Sequence, residues 1–263
     1  MFRQILRATP RLLLLFSPLL FGAAYFATRF PDVPGASAGS YVSTFLIALP
    51  ALVALLHYLG PQRAILSLLS LAAFGYAIET IGTTTGLPYG PFYYGEALGD
   101  KAFGVVPYLL PVSYVPLVIG ALAASWNVGS GQDSRSGLVL RAAVLLTLID
   151  GVLDPGAVAL GFWVWPEGGA YYGVPVSNYG GWLLSGALAA VVLLAVGRPR
   201  GAPPPGAVDS VILALSFWTG VAVFSSLLFP ALLGAALFVL FLYRRWRLRV
   251  GSGGKATTLG RRV

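Results

Sequence analysis

Two carboxylates, Asp150 and Asp154, stand four residues apart inside a stretch, Leu138 to Trp165, that is otherwise nearly all apolar. A charged group in hydrocarbon costs about 3 kcal/mol or more, so such residues face a polar cavity or a partner and mark a working site. A spacing of four is one turn of helix, which sets both on one face. A carboxyl withheld from water resists ionisation, and a second one beside it adds to that resistance for one of the two, so the pair is a candidate proton donor. Pro155 has no N–H to donate and leaves the Gly151 carbonyl free beside the acids. Glu79 reaches the same level. At 1.5 Å per residue it lies about 24 Å along its helix from Arg63, and the two aspartates lie about 20 and 26 Å along theirs from Gly137. The three acids therefore predict one polar pocket at one depth, the alternative being a purely structural role with Ser or Thr hydroxyls as partners.

The elements that must hold them are membrane helices. In 263 residues, 57% are hydrophobic and 10% charged, with a mean hydropathy of +0.80, a balance that belongs to a bilayer-embedded chain. The net charge of +8 does not indicate nucleic acid, because the basic residues cap apolar runs instead of forming a stripe with interleaved aromatics. With no Cys and one His, thiol, iron–sulfur, zinc and haem chemistry lose their support, and neither a metal nor another cofactor is expected. The segment Leu12 to Tyr25 behind Arg3, Arg7 and Arg11 has no small-residue cleavage site leading into a soluble domain, so it reads as the first span.

Apolar windows of about 20 residues, enough to cross about 30 Å of hydrocarbon, fall near 11–30, 41–60, 63–82, 105–126, 137–161 and 179–197. A last run, 208–243, makes about 54 Å of helix, too long for one ordinary crossing. Lys and Arg favour the cytoplasmic side. Arg3, Arg7 and Arg11, then Arg63, Arg135 with Arg141, and Arg198 with Arg200 mark successive cytoplasmic turns, and Arg244, Arg245, Arg247 and Arg249 must return there. That requires two short crossings broken around Ser225 to Pro230. The prediction is an all-α polytopic transmembrane bundle of eight helices, seven being the alternative. It forms one integral domain over 1–250 in the cell membrane, both termini cytoplasmic, with a basic tail over 251–263 expected to lack fixed structure.

The connections differ by side. Asn127 to Ser136 and Gly197 to Gly206 are rich in Gly, Ser, Pro and Arg and read as plain linkers. The two long outer loops, Thr83 to Gly104 and Phe162 to Asn178, carry Tyr89, Phe92, Tyr93, Tyr94, Phe103, Trp163, Trp165, Tyr171 and Tyr172, a density beyond what interfacial anchoring needs. Glu96, Asp100 and Lys101 read as solvated loop charges, and His57 as a snorkelling or packing residue. For Asn178, before a helix start, capping is a sufficient explanation, with a place in the pocket as the alternative. Trp182 is a packing residue unless the pocket reaches it.

The run Asp150-Gly-Val-Leu-Asp154-Pro155, then Gly161-Phe-Trp163-Val-Trp165, then Tyr171-Tyr172-Gly173-Val-Pro175-Val-Ser-Asn178-Tyr179-Gly180-Gly181-Trp182, resembles the membrane carotenoid biosynthesis family. This family contains the carotenoid 1,2-hydratases and bisanhydrobacterioruberin hydratases of pigmented bacteria and archaea. Glu79-Thr-Ile-Gly82 with Pro88-Tyr89-Gly90-Pro91-Phe92-Tyr93-Tyr94 is similar to the family's other shared block. The flanking helices match only in hydropathy.

The resemblance implies water addition across the terminal trisubstituted double bond of an acyclic carotenoid psi end. Carotenoid and water would be the substrates, the bilayer the medium, and other carotenoid-pathway enzymes potential partners. Protonation at C2 leaves a tertiary cation at C1, which water captures as a tertiary alcohol. A carboxyl kept protonated by burial supplies the proton, while an ionised carboxylate and aromatic faces stabilise the cation. Asp154 or Asp150 is then the acid, the other its electrostatic partner or water base, and Glu79 the second candidate base. Tyr89, Phe92, Tyr93, Tyr94, Trp163, Trp165, Tyr171, Tyr172, Asn178 and Trp182 would bind the end group. A carotenoid cyclase, which must deny water to the same cation, is the second enzyme reading; Ser113, Ser177 and Asn178 near the end favour water capture. A proton-coupled transporter is the non-enzyme reading, and the lack of an acid in the last two helices beyond Asp209, at the edge, weighs against it.

Overall fold

The arginine-flanked apolar runs become helices. The computed structural model describes residues 1–31, 36–127 and 134–259, for residues 2, 8, 36, 37 and 252–259 the backbone alone; residues 128–133 of the Asn127–Ser136 linker and 260–263 of the tail lie outside it. A short α1 (Phe2–Ala8) precedes α2 (Arg11–Arg29), α3 (Ala36–Leu59), α4 (Pro61–Thr85), α5 (Leu110–Ser125), α6 (Arg135–Ala159), α7 (Val176–Gly197), α8 (Asp209–Phe224) and α9 (Leu228–Leu259). Among the described residues, seven helices are long and apolar enough to span: α2, α3, α4, α6, α7, α8 with its leading turn from Pro205, and α9 as far as Gly251. That number is the alternative of seven; the apolar α5 has 16 residues, about 24 Å of helix, and is shorter than these spans. The predicted break in the last run falls at Ser225 to Leu227, where Ser226 takes a φ of 59°. Pro230 follows in the first turn of α9, where its missing N–H has no helical partner to lose.

Of these seven spans, the one formed by α8 is the most enclosed, and α8 packs against α2, α3, α5, α6 and α9. An apolar circumference suits a central helix. Leu71, Leu146, Ile149, Ile212, Leu215 and Phe241 fill the core, while Leu19, Phe26, Phe45, Leu69, Leu184 and Phe229 stand exposed around it. Exposed apolar area on this scale is a lipid-facing surface. Where α6 meets α7, a Cβ on Gly186 would lie 3.5 Å from the Ala143 Cα, so small residues let the two backbones approach closely.

The aromatic loops are tied together rather than free. β1 (Tyr93–Tyr94) pairs antiparallel with β4 (Trp163–Val164), Tyr94 opposite Trp163. β2 (Lys101–Ala102) pairs with β3 (Val106–Pro107). Beside β1, a Cβ on Gly95 would fall 2.0 Å from the Gly161 carbonyl oxygen, so the junction of the two loops admits only glycine. At the opposite end of the bundle Asp209 is not a loose edge charge: Arg245 Nε donates to its Oδ1 at 2.6 Å, both side chains being largely buried.

Candidate functional site

α6 presents Asp150 and Asp154 to the start of α7, where the Asn178 Nδ2 donates to Asp150 Oδ2 at 3.0 Å and to Asp154 Oδ2 at 2.5 Å. All three residues are 2% exposed. The predicted turn of helix thus places both carboxyls on one face, and one amide on the facing helix reaches both. Asn178 is not a cap: Pro175 holds the N-cap position of α7, and the Asn178 amide crosses to α6 instead of turning back on its own helix. Glu79 arrives from α4, 6% exposed, and accepts a hydrogen bond from the Tyr94 hydroxyl at 2.7 Å. It lies within electrostatic reach of Asp154 and Asp150. Glu79, about seventy residues away in sequence, is thus brought near the aspartate pair.

The loop residues close over them. The ring of Tyr89 is wedged between α4 and α7, because a Cβ on Gly82 would meet it at 2.7 Å and one on Gly181 at 2.5 Å. Phe92 contacts Tyr89, Tyr94 and Trp165 at centroid separations of 6.1, 5.5 and 5.6 Å, and Trp163 lies 5.8 Å from Tyr94. Trp182 touches both Tyr89 and Tyr114. These are tilted or edge contacts, the arrangement aromatic quadrupoles favour. Burial, and then Glu79 beside them, push the Tyr89 and Tyr94 phenols well above the ordinary tyrosine range, which keeps them neutral donors.

Of the residues predicted for the end-group pocket, Tyr89, Phe92, Tyr94, Trp163, Trp165, Asn178 and Trp182 gather around the acids. Tyr171 stands beside them through Tyr179, with ring centroids 5.8 Å apart. Tyr93 does not join: successive strand residues point to opposite faces, so with Tyr94 inside, Tyr93 is 54% exposed. Tyr172 turns away as well, its hydroxyl accepting from the Phe229 N–H at 3.3 Å. Ser113, expected near the end group, lies on the exposed side of α5 and donates to the Leu110 carbonyl. Ser177 donates to the Tyr89 carbonyl at 3.3 Å. Glu96 and Lys101 pair with each other at 2.8 Å, the glutamate being solvent-exposed, and His57 is exposed at the end of α3.

Two residues escaped the sequence reading. Tyr114 on α5 is buried with an unpartnered hydroxyl in electrostatic reach of Glu79, and its ring packs on Gly75. Tyr179 adjoins Asn178, and its buried hydroxyl also has no partner. A lone tyrosine in an apolar helix looks like core or interfacial belt, and only Tyr179 carried a signal, its place beside the one buried amide. The acids and the amide are buried, so an alkene end reaches them only when a bordering side chain moves. A groove of about 380 Å³ between α2, α8 and α9 is lined by none of these residues.

Residues 38–241, most of the helical bundle and all of this site, match the family described as carotenoid biosynthesis protein. The bisanhydrobacterioruberin hydratase of Haloarcula japonica is 40% identical over 231 residues, covering 84% of this chain and 75% of that protein. No solved structure matches the chain. The converging acids, the aromatic loops bound to them and the extent of these matches lead to one conclusion: the chain belongs to the carotenoid biosynthesis protein family.

Proposed function

We propose that this protein is a carotenoid hydratase, adding water to the terminal C1=C2 double bond of an acyclic carotenoid psi end. The observation that carries this reading is the single Asn178 amide bonded to both Asp150 and Asp154, which holds two acids side by side where water is scarce. One carboxyl of the pair delivers its proton to C2, and the π electrons leave C1 as a tertiary cation. The other carboxyl stabilises that charge as an anion, and the ring faces of the aromatic box add quadrupole attraction. A water oxygen bonds to C1, and its surplus proton passes to a carboxylate, Glu79 or the aspartate that began the cycle, restoring the acid. The sum is alkene plus water giving a tertiary alcohol. Tyr94 holds Glu79 in place by its hydrogen bond.

A polyene enters sideways from the bilayer, in keeping with a lipid-facing surface on every outer helix. The protein lies in the cell membrane with both termini cytoplasmic, the side favoured by its arginine-rich turns, and works beside other enzymes of the pathway. Expression in a bacterium that accumulates acyclic carotenoid tests the reaction: the pigment should gain the mass of one water per modified end. Asp150→Asn and Asp154→Asn should each abolish the gain while the protein still inserts. Full conversion by either variant removes that aspartate from the mechanism, and a cyclised pigment of unchanged mass replaces hydration by cyclisation.

A further inference from the structure

Hydration, the reading on which this inference rests, needs a group that holds the reacting water. Near the aspartate pair stands a buried hydroxyl without a hydrogen-bond partner among the described residues. Tyr179 follows Asn178 on α7, its Oη is buried, and no group among the described residues accepts from it or donates to it. The phenol lies within electrostatic reach of Asp154 and Asp150, and the Tyr171 ring, edge-on at 5.8 Å, braces it. A buried hydroxyl without a partner forfeits about 1–3 kcal/mol, and buried polar groups in folded proteins nearly always find a protein or water partner. Asn178 spends its amide hydrogen bonds on the acids and Tyr94 donates to Glu79, so neither is free to serve water in the same way.

We infer that Tyr179 is a catalytic residue that binds the reacting water, holding it between its hydroxyl and the aspartate pair for attack on the C1 cation. Its hydroxyl accepts or donates one hydrogen bond to the water, and a carboxylate takes the proton that the water loses as its oxygen bonds to carbon. Tyr179 itself exchanges no net proton. Without that hold the cation still forms, but it returns to alkene by losing a proton from C2 before water arrives.

This separates the two half-reactions experimentally. With the full-length protein in membranes made up in deuterium oxide, wild type should give alcohol carrying deuterium at C2. In Tyr179→Phe, which keeps the ring and its contact with Tyr171, alcohol formation should fall about tenfold or more, the loss of one hydrogen bond to a reacting group. Recovered alkene should meanwhile gain deuterium at C2 through protonation and return, which also shows that the variant is folded. Tyr179→Leu applies the same product ratio should the first variant fail to accumulate. Alcohol formation at the wild-type rate in either variant overturns the role of Tyr179 and leaves the aspartate chemistry standing. Loss of deuterium exchange together with alcohol, in protein that is folded and inserted, also overturns it, because Tyr179 would then serve protonation. Wild-type alcohol without deuterium at C2 instead defeats the hydration mechanism itself.

Discussion

Replacing Asn178 by leucine removes the one group that bonds both aspartates, and the size of the loss depends on their charge. The amide nitrogen makes two bonds across the α6–α7 interface, at 3.0 and 2.5 Å. Hydrogen bonds between membrane helices with neutral partners contribute about 0.6 kcal/mol each, so two protonated acceptors predict a loss of about 1 kcal/mol. Bonds to an ionised acceptor contribute about 1.5–3 kcal/mol each. One carboxylate and one carboxylic acid, the state hydration requires, predict about 2–4 kcal/mol. Leucine is close enough in size to asparagine that little packing is lost with the bonds. The assay is reversible unfolding in mixed micelles, comparing Asn178→Leu in the wild-type background and with both aspartates changed to asparagine. The loss should shrink to about 1 kcal/mol or less in the second background, since the charged acceptor is then gone. Equal losses in the two backgrounds, or a loss below about 0.5 kcal/mol in the first, would show that the amide does not hold a charged pair and would refute the reasoning.

Gly181→Ala places a Cβ 2.5 Å from the Tyr89 ring and should cost about 1–3 kcal/mol through overpacking. Gly180→Ala, with nothing within 4 Å of its Cβ, should be neutral or stabilising by about 0.5–1 kcal/mol, from helix propensity; thermal unfolding of the two variants side by side checks the contrast. Tyr94→Phe leaves the Glu79 carboxyl without its hydroxyl donor and should lower stability by about 1–3 kcal/mol and slow hydration, so unchanged values of both would detach Tyr94 from the site. Arg245→Leu strands Asp209 in a largely buried position and should cost about 3 kcal/mol or more, whereas the double change with Asp209→Leu should recover most of it; a double variant no more stable than the single would contradict the pair's assignment.

Composition and charge placement alone made this a membrane bundle, because twenty-residue apolar runs have few other uses and arginines mark which ends face together. The same arithmetic put Glu79, Asp150 and Asp154 at one depth, since rise per residue is a property of any helix. Local spacing likewise set the two aspartates on one face. Depth is not direction, however. That Glu79 turns toward the α6 pair depends on how α4 and α7 pack, which Gly82, Gly181 and the Tyr89 ring between them decide. Asn178 looked like a cap because it precedes a helical run, and only the close approach of α6 and α7 made its amide a partner for both acids. Tyr93 and Tyr94 are indistinguishable as letters. The pairing of β1 with β4 turns one inward to Glu79 and the other out. The sequence by itself determined the medium, the all-helical architecture and the level of the acids, which come from local rules. The tertiary structure alone decided which side chains meet, because contacts between distant helices are chosen by packing complementarity that no single segment encodes.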